Sequence, residues 1–303
     1  TFFQDIKFPV MASPKLDGIR CLPRREEIMV PRGLDIVGTG EFANVALSRT
    51  LEKLPSIQVQ ELFTSDILLY LDGELIEGEV TDHDVYNRTQ SHVMSKNKPG
   101  DLHYYVFDCA NEDLAEVPYY QRHDYAQAKV VKANLPNVHF IEHQDCETLE
   151  ELLEYENKCL TEGYEGVMFR NPVGRYKHNR ATYRDNIIYK LKRFTDGEAI
   201  ITGFVERMHN LNRQERDNRG FAKRSSASEN LRPAGMVGKF ICDYKGDTIY
   251  VAPGKFKHIQ LKEIWENQEK YLGAILKWRS FGHGVKDKPR HPRALGFRSK
   301  MDM

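Results

Sequence analysis

The sequence predicts an α+β domain with antiparallel sheets, followed by a small β-barrel. Over the first two-thirds of the chain, stretches rich in β-branched and aromatic residues alternate with helical patterns. After residue 194 the pattern changes to short strands around a single helix. With 303 residues, 40% of them hydrophobic and 29% charged, the chain has room for one large globular domain or two modest ones.

The first part, residues 1–194, is predicted to hold five strands and two helices. The strands are expected at 67–76, 104–107, 138–141, 166–169 and 187–191. The helices are expected at 120–133 and 147–161. The second helix carries four leucines on one side and ends at Gly163.

The second part, residues 195–303, is predicted to form a barrel of the OB type. Short strands are expected at 199–205, 236–243, 248–251 and 273–278, with a helix at 256–270. Residues 207–232 hold seven Arg or Lys and show no periodicity. We therefore expect a long loop between barrel strands, and loops of this length are usually functional or disordered.

Charge is unevenly distributed although the whole chain is neutral. Residues 195–303 contain 21 Lys and Arg against 13 Asp and Glu, whereas residues 1–194 contain 23 against 31. The basic part is expected to bind a polyanion, unless the two parts simply attract each other. Five cysteines without a C-x-x-C pair argue against a zinc site or a disulfide framework, and no apolar run is long enough to span a membrane. We expect a cytoplasmic protein without a membrane partner.

The string Lys15-Leu16-Asp17-Gly18-Ile19-Arg20 is the strongest candidate for chemistry. It places a lysine nucleophile in a tight turn beside an acid and a base. Lysine is a poor nucleophile while protonated, and nearby cations or a metal favour its neutral form. The alternative is an ordinary surface turn, because Asp-Gly is a common turn dipeptide.

Four further strings follow in order. They are Asp72-Gly73-Glu74-Leu75, Tyr105-Val106-Phe107-Asp108, Glu165-Gly166-Val167-Met168-Phe169-Arg170 and Lys190-Leu191-Lys192. Taken singly, the glutamates are strand-end acids, the phenylalanine is a core residue, and the two lysines form one solvated strand face.

Together these strings supply what nucleotidyl transfer needs. Lys15 would attack the α-phosphate of a nucleotide, and Phe107 offers a flat face for the base. Glu74 would bind ribose hydroxyls or Mg²⁺, and Glu165 adds a second hard oxygen ligand for the metal. The two lysines of Lys190-Leu191-Lys192 would neutralise charge on the α-phosphate.

The order and spacing of these strings resemble the covalent nucleotidyltransferases, and most of all the compact ATP-dependent DNA ligases of bacteriophages. The resemblance implies an adenylation (nucleotidyltransferase) domain over residues 1–194 and an OB-fold domain over residues 195–303. It implies that Lys15 becomes adenylated by ATP, with Mg²⁺ as cofactor. It also implies a monomer that seals 3′-hydroxyl/5′-phosphate nicks in duplex DNA, in the host cytoplasm if the protein is viral.

Further ATP-site residues follow from the same resemblance. Backbone atoms at Ser13 or Pro14 are expected to recognise the adenine edge. Arg20 and Arg32 are expected to touch the ribose and phosphates, although Pro31-Arg32-Gly33 departs from the usual Arg-Asn-Gly or Arg-Thr-Gly string.

The resemblance extends to the basic part of the chain. Arg290 and Arg298 look like the closing element, in which an arginine orients the leaving pyrophosphate. Four residues of the polar loop are expected to contact duplex DNA, namely Lys223, Arg224, Ser225 and Ser226. The alternatives are a disordered loop without a partner and, for the whole chain, an RNA ligase, a capping guanylyltransferase or a non-catalytic nick-binding protein.

Overall fold

The computed structural model describes residues 3–32, 35–281 and 288–298. The chain divides into two compact units, Thr1–Lys192 and Arg193–Met303. Among the described residues, no helix is both long enough and apolar enough to cross a membrane. All five cysteines are buried and unpaired, as expected of small core residues.

The first unit contains a four-stranded and a five-stranded sheet. Its strands are β1 (Val10–Pro14), β2 (Ile19–Arg32), β3 (Asp35–Ser48), β4 (Leu71–Glu77), β5 (Leu102–Cys109), β6 (Val138–Phe140), β7 (Gln144–Cys146), β8 (Gly166–Arg170) and β9 (Ile188–Lys192). The smaller sheet has the order β7-β1-β8-β9 and the larger one β3-β2-β4-β5-β6. Every pair is antiparallel except β5–β6, which confirms the predicted mixture of helices and antiparallel sheets.

Four helices belong to this unit: α1 (Ile57–Leu62), α2 (Val85–Val93), α3 (Tyr119–Ala133) and α4 (Leu149–Thr161). Helix α4 begins where the Thr148 side chain accepts a hydrogen bond from Glu151 N, and two glutamates in its first turn suit the helix dipole. Helices α3 and α4 confirm the two predicted helices. Apolar side chains of α3 pack on the larger sheet, and those of α4 pack on the smaller one.

Several first-unit elements differ from the sequence prediction. The strand expected at 67–76 begins only at Leu71, because Ser65 caps a 3₁₀ turn over Asp66–Leu68. Strands β1, β2 and β3 and helices α1 and α2 were not predicted. Strands β2 and β3 form a hairpin of 14 residues on each side, and its outer half is solvent-exposed on both strands.

The second unit is built on one five-stranded antiparallel sheet. The strands of this unit are β10 (Phe194–Asn210), β11 (Gln214–Arg216), β12 (Ala222–Arg224), β13 (Leu231–Tyr244), β14 (Asp247–Val251), β15 (Ile275–Phe281) and β16 (Arg290–Phe297). Strands β11 and β12 pair only with each other. The sheet order is β14-β13-β10-β15-β16, and a separate bridge joins Ala252 to Arg293 beside the two edge strands.

Two predictions for this unit need correction. The helix expected at 256–270 is two helices, α5 (His258–Glu266) and α6 (Gln268–Tyr271), because the backbone leaves the helical region at Asn267. The loop expected at 207–232 is largely structured. Strands β10 and β13 extend into it, and β11 and β12 pair as a small hairpin within it. We call residues 207–232 the arm.

Candidate active site

Lys15 directly follows β1 and is held against β8. Its backbone N–H donates to the carbonyl oxygen of Gly166 over 2.8 Å. The turn to β2 requires Gly18, because a Cβ atom there would lie 2.2 Å from the carbonyl oxygen of Leu75. The glycine of the first string therefore allows β2 to pass close to β4, with the lysine immediately before it.

Glu165 lies between two lysines. Its Oε2 is 2.5 Å from Lys15 Nζ, and its Oε1 accepts a hydrogen bond from Lys192. The Glu165 side chain is 3% exposed. Burial opposes its charge, but the two ammonium groups prevail and lower its pKa. Burial in turn lowers the pKa of Lys192, with Glu165 acting in the opposite direction.

Arg20 is fixed by a buried carboxylate. Its Nε and one terminal nitrogen donate to Asp72 over 2.8 and 2.5 Å. The Tyr176 hydroxyl donates to the same carboxylate over 2.9 Å. Although burial acts the other way, the guanidinium lowers the pKa of Asp72. This bidentate pair orients Arg20 before any ligand is bound.

These elements surround a cavity of about 850 Å³, and every residue that lines it belongs to the first unit. Seven of the predicted site residues line this cavity: Ser13, Pro14, Lys15, Arg20, Glu74, Phe107 and Lys190. Glu165 and Lys192 are not among the lining residues and reach the site through the ion pair with Lys15. A cavity of this size is ample for a nucleotide.

Glu74 is one of the acids that line the cavity, and its carboxyl interacts electrostatically with Lys15. It stands on β4 opposite Arg20 on β2. Burial raises its pKa to about 7, although Lys15 and Arg20 act in the opposite direction. Its protonation therefore changes near neutral pH, which is uncommon for a glutamate.

Phe107 lies against a charged network whose residues also line the cavity. The Arg170 guanidinium lies 5.0 Å from the centre of the Phe107 ring and donates to Asp108 over 3.1 Å. Arg122 donates to the same carboxylate over 2.9 Å, and the side chains of Asp108 and Arg122 are each 1% exposed. A rigid aromatic face with a guanidinium stacked on it is suited to hold a planar base.

Residues 6–192 match the family model described as "ATP dependent DNA ligase domain". This match covers more than half of the chain. The chain belongs to the ATP-dependent DNA ligase family.

Relatives of known name agree with this membership. A DNA ligase of African swine fever virus is 28% identical over 213 residues, which are 68% of this chain and 46% of the relative. The chain thus spans about half the length of the curated relatives it matches. The ligase-adenylate of Chlorella virus aligns at 28% identity over 98% of this chain and 95% of its own, with a TM-score of 0.49.

The fold is shared with Lig E DNA ligases. A structure from a study of DNA binding by these enzymes has a TM-score of 0.66 at 18% identity, covering 98% of this chain and 96% of its own. African swine fever virus is not a bacteriophage, and the expected bacteriophage origin stays a prediction.

One predicted site residue, Arg32, lies outside the cavity. Arg32 ends β2 at the tip of the β2–β3 hairpin, is exposed, and is not among the residues that line the cavity. Arg20, at the start of the same strand, lines the cavity, and the strand between them is roughly 40 Å long. The cavity arginine after the hairpin is Arg49, in the string Ser48-Arg49-Thr50. This string was visible in the sequence, but the length of the hairpin before it was not.

The cavity also contains residues that the sequence analysis missed. Helix α2 contributes Tyr86 and Gln90, and Met94 directly after the helix lies at the same spacing. The loop between β8 and β9 contributes three cations, Arg175, Lys177 and Arg180. An ion pair of 2.6 Å between Lys177 and Asp185 braces this loop. In the sequence, only the concentration of Arg and Lys in this loop indicated that it contributes to the site.

The remaining predicted residues lie in the second unit. Arg290 begins β16, and Arg298 follows it, with its guanidinium 2.7 Å from Glu198. Lys223 and Arg224 lie on β12 and the two serines directly after it, all exposed. Arg224 donates to the arm itself, to the carbonyl oxygen of Asn212 and to Gln214 over 3.3 Å.

Proposed function

We propose that this chain is an ATP-dependent DNA ligase that seals nicks through a lysyl-AMP on Lys15. One observation carries the proposal. A single cavity brings the Lys15 amine together with Glu74, the Phe107 face and Lys190, within the span that matches the ligase family. Three transfers would follow, and each depends on positioning and charge more than on proton chemistry.

In the first transfer the Lys15 amine attacks the α-phosphorus of ATP. A P–N bond forms, the bond to the bridging oxygen breaks, and pyrophosphate leaves with the electron pair. The ammonium must first lose a proton to solvent, and Glu165, 2.5 Å from Nζ, holds the amine in position. AMP then passes to the 5′-phosphate of the nick, and the 3′-hydroxyl finally attacks that phosphate and releases AMP.

The lining residues suit the nucleotide part by part. The Phe107 ring would stack on adenine, and backbone atoms at Ser13 or Pro14 would contact its edge. Arg20 and Arg49, in place of Arg32, would bind ribose and phosphate oxygens.

The two lysines of β9 would have different roles. Lys190 lines the cavity and would neutralise the α-phosphate. Lys192 would act from behind, through its hydrogen bond to Glu165. The cations Arg175, Lys177 and Arg180 would receive the phosphates of ATP or of the nicked strand.

Magnesium fits the carboxylates of this site. Hard oxygen donors suit Mg²⁺, which commonly binds one or two carboxylates together with substrate phosphates. Glu74 would contribute one oxygen from the cavity wall. Glu165 would become available once Lys15 is adenylated, because the phosphoramidate no longer carries the ammonium charge that pairs with it. The described residues hold no group of three or more His, Cys, Asp or Glu placed to hold a metal. Phosphate oxygens would therefore complete the coordination shell of Mg²⁺. The metal would supply charge neutralisation on those phosphates.

The second unit is proposed to be an OB fold that binds duplex DNA. In chain order its five main strands pair as 3-2-1-4-5, and α5 and α6 lie between the third and fourth. The Ala252–Arg293 bridge links the two edge strands, as in a partly open five-stranded barrel. The net charge of residues 195–303 is +8, which suits a polyanion. Arg290 and Arg298 would orient the leaving pyrophosphate, and the arm would contact the nicked duplex.

The test is transfer of labelled nucleotide. Incubation with ATP labelled at the α-phosphate should leave label on the denatured protein, and added nicked DNA should remove it as joined product appears. Lys15→Ala should take no label, whereas Lys7→Ala, which removes an exposed lysine nearby, should behave as the wild type. Labelled GTP and nicked RNA test the related activities. Label on the Lys15→Ala protein, or label that nicked DNA does not remove, contradicts the proposal.

A further inference from the structure

The arm is ordered by its own polar groups. Asn212 is 6% exposed, and its amide nitrogen donates to the carbonyl oxygens of Ser225 and Ala227 over 3.0 and 2.9 Å. Asn230 donates to the Asn212 side-chain oxygen over 3.2 Å. These bonds tie the β11–β12 hairpin to the end of the β10–β13 ribbon, so the hairpin is positioned without a partner.

The turn of that hairpin is fixed in a similar way. Asp217 Oδ1 accepts from the backbone N–H groups of Arg219 and Phe221 over 3.0 and 2.9 Å. Its Oδ2 accepts two bonds from the Arg219 guanidinium, at 3.1 and 2.7 Å. Gly220 adopts a φ of +82°, which glycine tolerates at no steric cost. The Asp217 carboxylate therefore makes its hydrogen bonds within the turn.

Phe221 projects from this fixed turn. Its side chain is 50% exposed, and the Arg219 guanidinium lies 5.2 Å from its ring centre. A large apolar side chain held on a rigid turn has little conformational freedom to lose on binding. Its burial against a partner would therefore be favourable.

The surroundings of Phe221 indicate which partner this is. The arm holds seven Arg or Lys and three Asp or Glu, and one of those acids is Asp217, which is engaged in the turn. We propose that Phe221 makes an apolar contact with duplex DNA, on a sugar or a base edge, while cations of the arm pair with phosphates. This inference rests on the proposed function and adds to it a contact that carries no charge.

An apolar contact and a phosphate contact differ in how they respond to salt. Each phosphate neutralised adds about one unit to the slope of log affinity against log salt concentration. Losing Phe221 should therefore weaken binding at every salt concentration by the same factor. Losing Lys223, which is exposed on β12, should reduce the slope itself.

The experiment measures binding of the full chain to a fluorescent nicked duplex, without ATP or Mg²⁺, over a range of salt concentrations. We expect Phe221→Ala to bind about tenfold more weakly with an unchanged slope, and Phe221→Leu to retain most of the affinity. Lys223→Ala should lower the slope by about one unit. Ile259→Ala is the matched control, because this side chain of α5 is 77% exposed, and its affinity should not change.

Two outcomes would overturn the inference. One is unchanged affinity of Phe221→Ala, with circular dichroism showing the variant folded. The other is a weaker affinity accompanied by a changed slope. Replacing residues 213–224 by a short Gly-Ser turn separates this inference from the proposed function. If that variant binds the nick normally, the arm is not a DNA contact at all. If it binds weakly while Phe221→Ala binds normally, only the role of Phe221 is wrong.

Discussion

Glu165 Oε2 lies 2.5 Å from the Lys15 amine, so the nucleophile is held by a carboxylate that is itself almost fully buried. The same carboxylate accepts a bond from Lys192. This arrangement places the amine at the cavity wall, and it makes the stability of the first unit depend on the chemistry of its active site.

The Glu165→Gln variant should therefore lose both stability and activity. Removing this charge takes away the carboxylate that two partly buried ammonium groups share, which should lower the free energy of unfolding by about 3 kcal/mol. Urea denaturation at neutral pH and the rate of self-adenylation measure the two effects. Glu162→Gln is the matched control, because Glu162 is exposed at the end of α4. Equal stability of the two variants would contradict this reading of the ion pair.

Glu74 should impose a pH dependence on stability. Its pKa is raised to about 7 by burial, above that of an unfolded glutamate. As pH rises through this window the unfolded chain has already released the proton that the folded chain retains, so the group makes stability fall. Relative to the wild type, Glu74→Gln should gain up to about 3 kcal/mol between about pH 5 and about pH 8. The free energies of unfolding of both proteins, measured at these two pH values, test the direction of this change. Profiles of unfolding free energy against pH that run parallel for the two proteins would contradict it.

Arg49 should matter for nucleotide transfer where Arg32 does not. A guanidinium that donates to a phosphate or ribose oxygen stabilises the bound state through a charge-assisted hydrogen bond. Arg49→Ala should lower kcat/KM for self-adenylation by about 10- to 100-fold. Arg32→Ala should leave it unchanged, because that side chain lies at the hairpin tip. A larger loss of kcat/KM in Arg32→Ala than in Arg49→Ala would contradict this prediction and support a role for Arg32 in the site.

The Asp108–Arg122 pair should be a large contributor to stability. Both side chains are 1% exposed, and Arg122 also donates to the carbonyl oxygen of Gly174 over 3.0 Å. Asp108→Asn leaves a buried guanidinium without its counter-charge and should lower the free energy of unfolding by about 3 to 5 kcal/mol. Asp113→Asn, on an exposed turn nearby, should have little effect. Denaturant titration of the two variants measures this difference in the free energy of unfolding.

Short strings in the sequence were sufficient to select residues that the fold brings to one cavity. Lys15, Glu74, Phe107 and Lys190 lie in strings whose residue types carry the chemistry, and one cavity contains all four. Arg32 lies outside the cavity, and the sequence did not indicate this because the length of the strand that carries it could not be judged. The 14-residue hairpin carries Arg32 away from the cavity.

Other features depended on contacts between distant residues. The support of Phe107 by Arg170 joins positions 63 residues apart, and nothing local indicates it. The arm was expected to be a loop because its order comes from side-chain to backbone bonds of Asn212 and Asp217, which have no periodicity. The predicted strand 67–76 was too long because the 3₁₀ turn before β4 contains the β-branched Ile67 and is followed by further apolar residues.

The β2–β3 hairpin has a practical consequence. Its two strands, each of 14 residues, run between the side of the cavity and Arg32 and Asp35, which are both exposed. Exposed residues at the end of a hairpin tolerate inserted sequence better than packed elements do. A fluorophore or a short affinity tag attached at these two residues would lie far from the cavity and leave its lining side chains undisturbed.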